Sequence, residues 1–548
     1  MAVTKKTTKP TKTKGITFKQ LTEAQKERIK KVYKEKSDLT WEKKAFMLGD
    51  ELGTSERTIR KWASEKLGLK EKQDIESEQY VLAKKRKFDK TKSRFIITWG
   101  QNNTAVHKGF YENIEAYAKA INADIHIILG RYRNVTTVDE TRREQQEEEK
   151  VFWHEEIIKY ADANRHDIHP YVSIMSDIKI QPTATNPMSS LQGLSGVNSC
   201  IFGAPKVQME MIPVLDGMKP KMMVSTGAVT VNNYSDSKSG KTGEFHHTLG
   251  FAIVEIEDSN KFHIRYVTAD DKTGSFSDLY KRVEKGVVSD INTIEAIILG
   301  DVHYGHHDQA VLDKTMVLLD KLNPNHVVLH DVFDGNSISH HEMKDPFIQY
   351  GKEIAGTNDL KKELDVMMDG LKAFEKFKNV IIVRSNHDDF LDRWLKNEDW
   401  KKQPTFKNSR LYMQLSDMLL EQYGTNPYKI AGVIPALINQ KFPKFKTLGR
   451  SASYQVKGGW ELGQHGDVGA NGSRGSLQQF RRLNTKIVVG HYHSPGRKDG
   501  AIAVGTSTKM RVGYNIGPSS WLQSHVIIHN DGRAQHINFI DGEYTTFK

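Results

Sequence analysis

Apolar and polar positions follow three successive rhythms along this chain. From Leu21 the spacing is helical: "LTEAQKERIKKVYKEK" places Leu21, Ala24, Ile29, Val32 and Tyr33 at roughly helical intervals. "TWEKKAFMLGDELG" continues that rhythm to a break at Gly53, and "TSERTIRKWASEKLGL" resumes it, so the order is helix, turn, helix. Ile59, Trp62, Ala63 and Leu67 are predicted to face the core of this module. Arg57, Arg60 and Lys61 then lie on the open face of the second helix, where a helix-turn-helix meets DNA. A small helical bundle docking on another protein would show the same apolar pattern.

The second rhythm begins at "RFIITWG", an apolar strand followed by the polar turn "QNNTAVH", a helix through about Ala120 and the strand "DIHIILG". That order predicts a small parallel sheet. "TRREQQEEEKVFWHEEIIKYA" reads as a charged helix, and "KMMVSTGAVTV", "GFAIVEIED" and "KFHIRYVTA" read as strands. No catalytic signature stands out between residues 93 and 285. His246 and His247 are adjacent, so in a strand they would face opposite ways and serve packing.

From about residue 290 a third rhythm takes over, in which strand-length apolar or mixed runs stop at Asp, Asn or His. "TIEAIILGDVHYGHHD" ends in Asp301 and His303, and "NHVVLHDVFDGN" ends in Asp331 with Asp334 three residues on. "NVIIVRSNHDD" delivers Asn386, His387 and Asp388. "WELGQHGD" supplies His465, and "KIVVGHYHSP" supplies His491 and His493. Open α/β sheets place their sites at the C-terminal ends of strands. Residues two apart in an extended strand share a side, so His491 and His493 are expected to converge on one point. A lone strand-end Asp or His is usually a cap or a surface residue, but five such endings in one region indicate a metal centre. Asp301, His303, Asp331, Asn386, His465, His491 and His493 have the number and hardness to hold two divalent ions bridged by one carboxylate. Mixed His, Asp and Asn ligands suit manganese first, with iron, zinc or magnesium as alternatives, and no thiolate is offered.

Charge changes the picture at the N-terminus. The 548 residues carry a formal +12, and residues 1–92 alone hold 26 Lys+Arg against 14 Asp+Glu. The other 456 residues carry 54 of each sign, so a basic module precedes a neutral body. A solubilising tail would be basic too, but a basic helical module is the usual footprint of nucleic-acid binding. No apolar run is long enough to span a bilayer, and nothing after the basic start resembles a secretory signal. A single cysteine, Cys200, fits a reducing compartment. A soluble cytoplasmic protein with no membrane partner is expected.

The order of the metal motifs resembles the calcineurin-like metallophosphoesterase superfamily, with D-x-H, G-D-x-x-[DN], G-N-H-[DE], H and G-H-x-H in sequence over roughly residues 290–530. The resemblance implies an α/β fold built on a two-sheet β-sandwich flanked by helices, here preceded by a small α/β domain and the helix-turn-helix module. "AIAVGTSTKM" and "HVIIHNDGRAQHINFIDG" fit closing strands of such a sandwich. It implies that Asp301, His303, Asp331 and His493 hold one metal, and that Asp331 bridges to a second held by Asn386, His465 and His491. His387 becomes the acid or transition-state stabiliser, paired with Asp388. His330 and Ser385 stand where the family has glycine, which narrows two turns without removing a ligand.

The start "DVHYGHHD" is similar to that of the superfamily's recombination nucleases, which commonly act as dimers, so a homodimer or higher homo-oligomer is implied. The whole layout, including "RFIITWGQNNTAVHKGF", resembles the pre-early host-takeover proteins of T5-like bacteriophages, implying degradation of host DNA early in infection. Three functions compete: a DNA nuclease, a phosphatase acting on protein or nucleotide monoesters with its N-terminal module used for targeting, and a DNA-binding regulator with a decayed esterase domain. Seven intact ligands and His387 argue against the third, and the basic module favours polynucleotide over monoester. The expected organisation is a disordered basic arm (1–15), a DNA-binding module (16–70), a charged linker (71–92), an α/β middle domain (93–285) and a metallophosphoesterase domain (286–548).

Overall fold

The computed structural model describes residues 17–34, 41–69, 86, 88, 91–132, 153–402, 406–483 and 485–547. They fall into two compact units, the first comprising residues 17–69. Its helices span Glu23–Lys34, Trp41–Leu52 and Glu56–Lys61, the last continuing as a wider turn through Lys66. Ile29, Val32, Ile59, Trp62 and Ala63 lie in its core, as their spacing predicts, together with Leu48, and Leu67 packs against it. Ser55 caps the third helix by accepting from the Thr58 amide at 3.2 Å, a Ser-to-backbone bond that fixes where the turn ends. The basic arm at residues 1–15 lies outside the described residues.

The second unit is mixed α/β. In its six-stranded sheet the order is Lys446–Leu448, Val380–Val383, His326–His330, Ala296–Ile298, Ser524–Ile528 and Ala534–Asn538. The first four are parallel, and the last two form an antiparallel hairpin around Asn530, Asp531 and Gly532. Successive residues alternate between two cores. Ile297, Leu299, Val327, Leu329 and Ile382 pack under the helices on one face. Ala296, Ile298, Val328, Ile381 and Val383 pack against Trp460, Val488 and Ile502 of a second sheet on the other. Burial on both faces is why these strands read as unbroken apolar runs.

That second sheet has ten strands, and it corrects the expected boundary at residue 285. The C-terminal strand Gly496–Lys498 pairs with Gln208–Ile212 of the middle region, placing Arg497 opposite Met209 and Lys498 opposite Gln208. Five strands from residues 165–225 and five from residues 455–503 thus share one sheet, so the described residues of 93–285 and of 286–548 belong to one compact body. Five other middle strands form a sheet in which Arg94–Gln101 runs parallel to Ala123–Gly130 but antiparallel to Gly250–Ile256, and Phe276–Asp278, Lys281–Glu284 and Val287–Asp290 form a small antiparallel sheet. The five-stranded sheet is therefore mixed rather than wholly parallel.

Three further expectations change. The expected linker is anchored near its end: the Arg86 amide donates to Asp162 at 2.6 Å and Phe88 packs on Phe95 and His126. Of the expected charged helix, residues 141–152 lie outside the described residues, and only Glu155–Ile158 forms a helical turn before the chain enters a strand at Ala161. His246 ends the helix Lys238–His246, and His247 caps it while its ring meets Tyr234 and the Thr230 carbonyl. Among the described residues no helix is long and apolar enough to cross a membrane.

Candidate metal centre

The six-stranded sheet sets the site, because its parallel strands deliver their C-terminal ends to one edge. Ala296–Ile298 leads to Asp301 and His303, His326–His330 to Asp331 and Asp334, and Val380–Val383 to Asn386 and His387. The facing sheet contributes His465 after Trp460–Glu461 and His491 and His493 after Lys486–Val489. Asp301, His303, Asp331, His465 and His493 are all buried.

Three groups of donor atoms form there. Asp301, His303, Asp331 and His493 make one and Asp331, His465 and His491 a second, so Asp331 is common to these two, and His303, Asp334 and His387 make a third. His303 Nε2 lies 3.1 Å from His493 Nε2 and 3.4 Å from Asp331 Oδ2. His493 Nε2 is 3.2 Å from Asp301 Oδ2, and His465 Nε2 is 3.1 Å from Asp331 Oδ2. Despite these distances, His465 Nε2, Asp301 Oδ1 and Asp331 Oδ1 have no aligned hydrogen bond, and neither does the buried Asn386 Oδ1. Buried polar atoms without partners demand an explanation. Hard donors aimed at shared points, not at one another, fit a divalent cation.

The electrostatics agree. Burial alone would depress His303 and His465, but the carboxylates around them, Asp331 with Asp334 and Asp301 for His303 and Asp331 with Asp301 and Asp467 for His465, together outweigh it and raise each to about 9. Asp331 is held well below the usual carboxylate range, burial being overcome by His465, His387 and His303. Imidazolium protons thus balance the carboxylates, and a metal would displace them.

Backbone geometry redirects the donors. His303 (φ 44°), Asp331 (φ 44°), His491 (φ 75°) and His493 (φ 54°) are all left-handed. Such positions cost of order 1–3 kcal/mol each and cluster at functional sites. They also correct the expectation for His491 and His493. The strand ends at Val489, the two residues are not extended, and their imidazoles divide between the first two groups.

His387 and Asp388 do not pair. The Nδ1 of His387 faces the Asp334 carbonyl, and its ring lies edge-on to His303 at 4.7 Å. Asp388 accepts from the Ser385 amide at 2.9 Å while Ser385 Oγ accepts from the Asp388 amide, so Ser385 and Asp388 lock the turn that presents Asn386. Burial pushes Asp388 up to about 7. Asp334 sets its Oδ1 2.9 Å from His303 Nδ1, without an aligned hydrogen bond, in the place of an outer carboxylate that would orient the imidazole were it to bind a metal. His330 is a second addition: it is buried with Nδ1 3.4 Å from His465 Nδ1. Their sequence signals were the last position of the G-D-x-x-[DN] motif for Asp334 and the replaced glycine before Asp331 for His330. Arg57 and Lys61 are exposed in the first unit, Arg60 half-buried. Arg60 pairs with Glu56 at 2.9 Å, and Lys61 lies 4.0 Å from Glu65.

Gly490 permits the close approach of the two sheets. A Cβ there would sit 2.3 Å from Asp301 Oδ1 and 3.0 Å from His330 Cβ. Gly490→Ala is therefore expected to weaken any divalent-metal binding at this cluster by about 10–100-fold, as outer positions of metal sites do. Isothermal titration on a variant with native circular dichroism checks it, and unchanged affinity would show that Asp301 can retreat freely.

No protein-family profile and no solved structure matches this chain. Protein A1 of Escherichia phage T5 is 30% identical to it over 485 residues, 82% of each chain. At that identity and coverage, the chain belongs to the family of phage T5 Protein A1.

Proposed function

We propose that this protein is a dinuclear-metal-dependent DNA nuclease of the calcineurin-like metallophosphoesterase type, acting on host DNA during phage infection. The observation that carries this reading is the pair of donor groups sharing Asp331. Asp301, His303, Asp331 and His493 would hold one ion, and Asp331, Asn386, His465 and His491 the other. Bound divalent ions supply Lewis acidity toward phosphoryl oxygens and a water acidic enough to act as nucleophile at neutral pH. Asp334 would orient the His303 ring, and the Ser385–Asp388 lock fixes Asn386. The helix-turn-helix module supports polynucleotide over small monoesters, and the relationship to a phage protein supports an infection role. The test is incubation of purified protein with plasmid and end-labelled linear DNA, with and without manganese, beside a phosphomonoester. Metal-dependent cleavage of DNA is expected. Turnover of the monoester with DNA left intact would favour a phosphatase targeted by its N-terminal module.

The division of the chain also sharpens a truncation experiment. The second unit begins at Val81, and Arg86 and Phe88 are part of its packing, so the cut belongs before residue 81. Residues 1–80 carry 20 Lys+Arg and 13 Asp+Glu, a net +7, while residues 81–92 keep +5. Removing 1–80 is expected to weaken DNA binding and to flatten its salt dependence by about 0.9 log units per log salt for each phosphate that is no longer neutralised. Hydrolysis of bis-p-nitrophenyl phosphate should persist. Changing Arg57, Arg60 and Lys61 together to alanine should reproduce part of the effect. Unaltered binding and cutting of DNA by the truncated protein at every salt concentration would remove the module from DNA recognition.

A further inference from the structure

A cavity of about 570 Å³ opens on the second unit at the other end of the strand that leads to His491. Lys486, which begins that strand, lines it, so roughly 10 Å of strand separates it from the metal-bearing end. Four full cations, Lys206, Arg481, Lys486 and Arg497, line it together with His246, against a single carboxylate, Asp499.

That carboxylate is already taken. Lys206 Nζ lies 2.6 Å from it, His246 Nδ1 lies 3.2 Å from it, and Arg481 also pairs with it. Lys486 donates to the Gly458 carbonyl at 3.1 Å and Arg497 to the Ala534 carbonyl at 3.4 Å. Among the described residues no carboxylate pairs with Lys486 or Arg497, and Arg497 Nε is buried without a hydrogen bond. Burial, Arg533 and Arg497 all push the Lys486 ammonium down, an arrangement that an anion would relieve. Phe245 stands on the same cavity with 75% of its surface exposed, whereas Trp460 beneath is 3% exposed.

We propose that this cavity binds the phosphate of a nucleotide, free or at the end of a strand, with the base lying on Phe245. An Arg fork and a Lys approaching from separate strands suit a multi-oxygen anion better than a single carboxylate. The volume is that of a small-ligand site, larger than a bare phosphate fills. An exposed phenyl ring offers the kind of face on which bases of any identity stack.

The test uses the full chain in EDTA, so its outcome does not depend on nuclease activity. Calorimetric titration with dADP is expected to show one saturable site per chain. Lys486→Gln, at the start of its strand, should weaken it about tenfold, as loss of a charged hydrogen bond does. Phe245→Ala should weaken dADP but not inorganic pyrophosphate. Displacement of dADP by a short 5′-phosphorylated oligonucleotide would identify strand ends as the natural source, and failure to displace it would identify the free nucleotide. Absence of saturable dADP binding, or unchanged affinity in a folded Lys486→Gln variant, would overturn the site. Undiminished dADP affinity in Phe245→Ala would overturn the base contact and with it the nucleotide assignment.

Discussion

Replacing Asp331 with alanine is expected to abolish metal-dependent phosphodiester cleavage and to lower bound metal at both positions. Asp331 is the only carboxylate common to two of the donor groups, and its Oδ2 lies within 3.4 Å of both His303 Nε2 and His465 Nε2. No neighbouring acid can replace it: Asp301 already faces His493 and accepts from the His491 amide, and Asp334 is turned to the far nitrogen of His303. The substitution also leaves two buried imidazoles, raised to about 9 in the parent protein partly by Asp331, without that counter-charge. They should then fall back toward neutrality under burial, so the variant is expected to fold. Metal content by mass spectrometry of the dialysed protein, read beside plasmid cleavage, separates the cases. Near-normal turnover with two ions retained in a folded Asp331→Ala protein would end the shared-carboxylate interpretation.

Removal of the His387 ring should have a different signature. His387→Ala is expected to keep its metal but to lose about 10²–10⁴-fold in rate, the range for a group that assists proton transfer. Burial holds this imidazole below its ordinary pKa despite the nearby Asp331, and Nδ1 faces the Asp334 carbonyl. A neutral ring donating through Nδ1 presents Nε2 as an acceptor, so it would orient a water or a leaving group before it donates. Any cleavage rate of the parent protein should therefore change as pH falls through the lowered His387 value, whereas the residual rate of His387→Ala should lack that limb. Loss of metal stoichiometry in the variant would instead place His387 among the ligands, where its grouping with His303 and Asp334 would allow it.

The parallel strands and their terminal ligands were legible because burial on both faces forces every residue of Ile297–Leu299 or Val327–Leu329 to be apolar. A polar residue directly after such a run then stands out. The joining of residues 165–225 to the C-terminal sheet was not legible. It rests on two residue pairs, Arg497 with Met209 and Lys498 with Gln208, in strands too short and too polar to carry a periodic signal. The paths of His491 and His493 were misjudged for a related reason: left-handed backbone at a non-glycine residue leaves no mark in composition. The basic cavity draws on residues 206, 246, 481, 486, 497 and 499, and only folding brings those together.

The shared ten-stranded sheet also ties the two halves of the second unit together thermodynamically. Cutting the pairing between Gln208–Ile212 and Gly496–Lys498 would expose two raw sheet edges, each ready to pair with another chain. The halves should consequently unfold in one cooperative step instead of two. Any ion held at the Asp331 cluster would then raise the melting temperature of the middle strands as well, although none of the described residues between 93 and 285 supplies a donor to it.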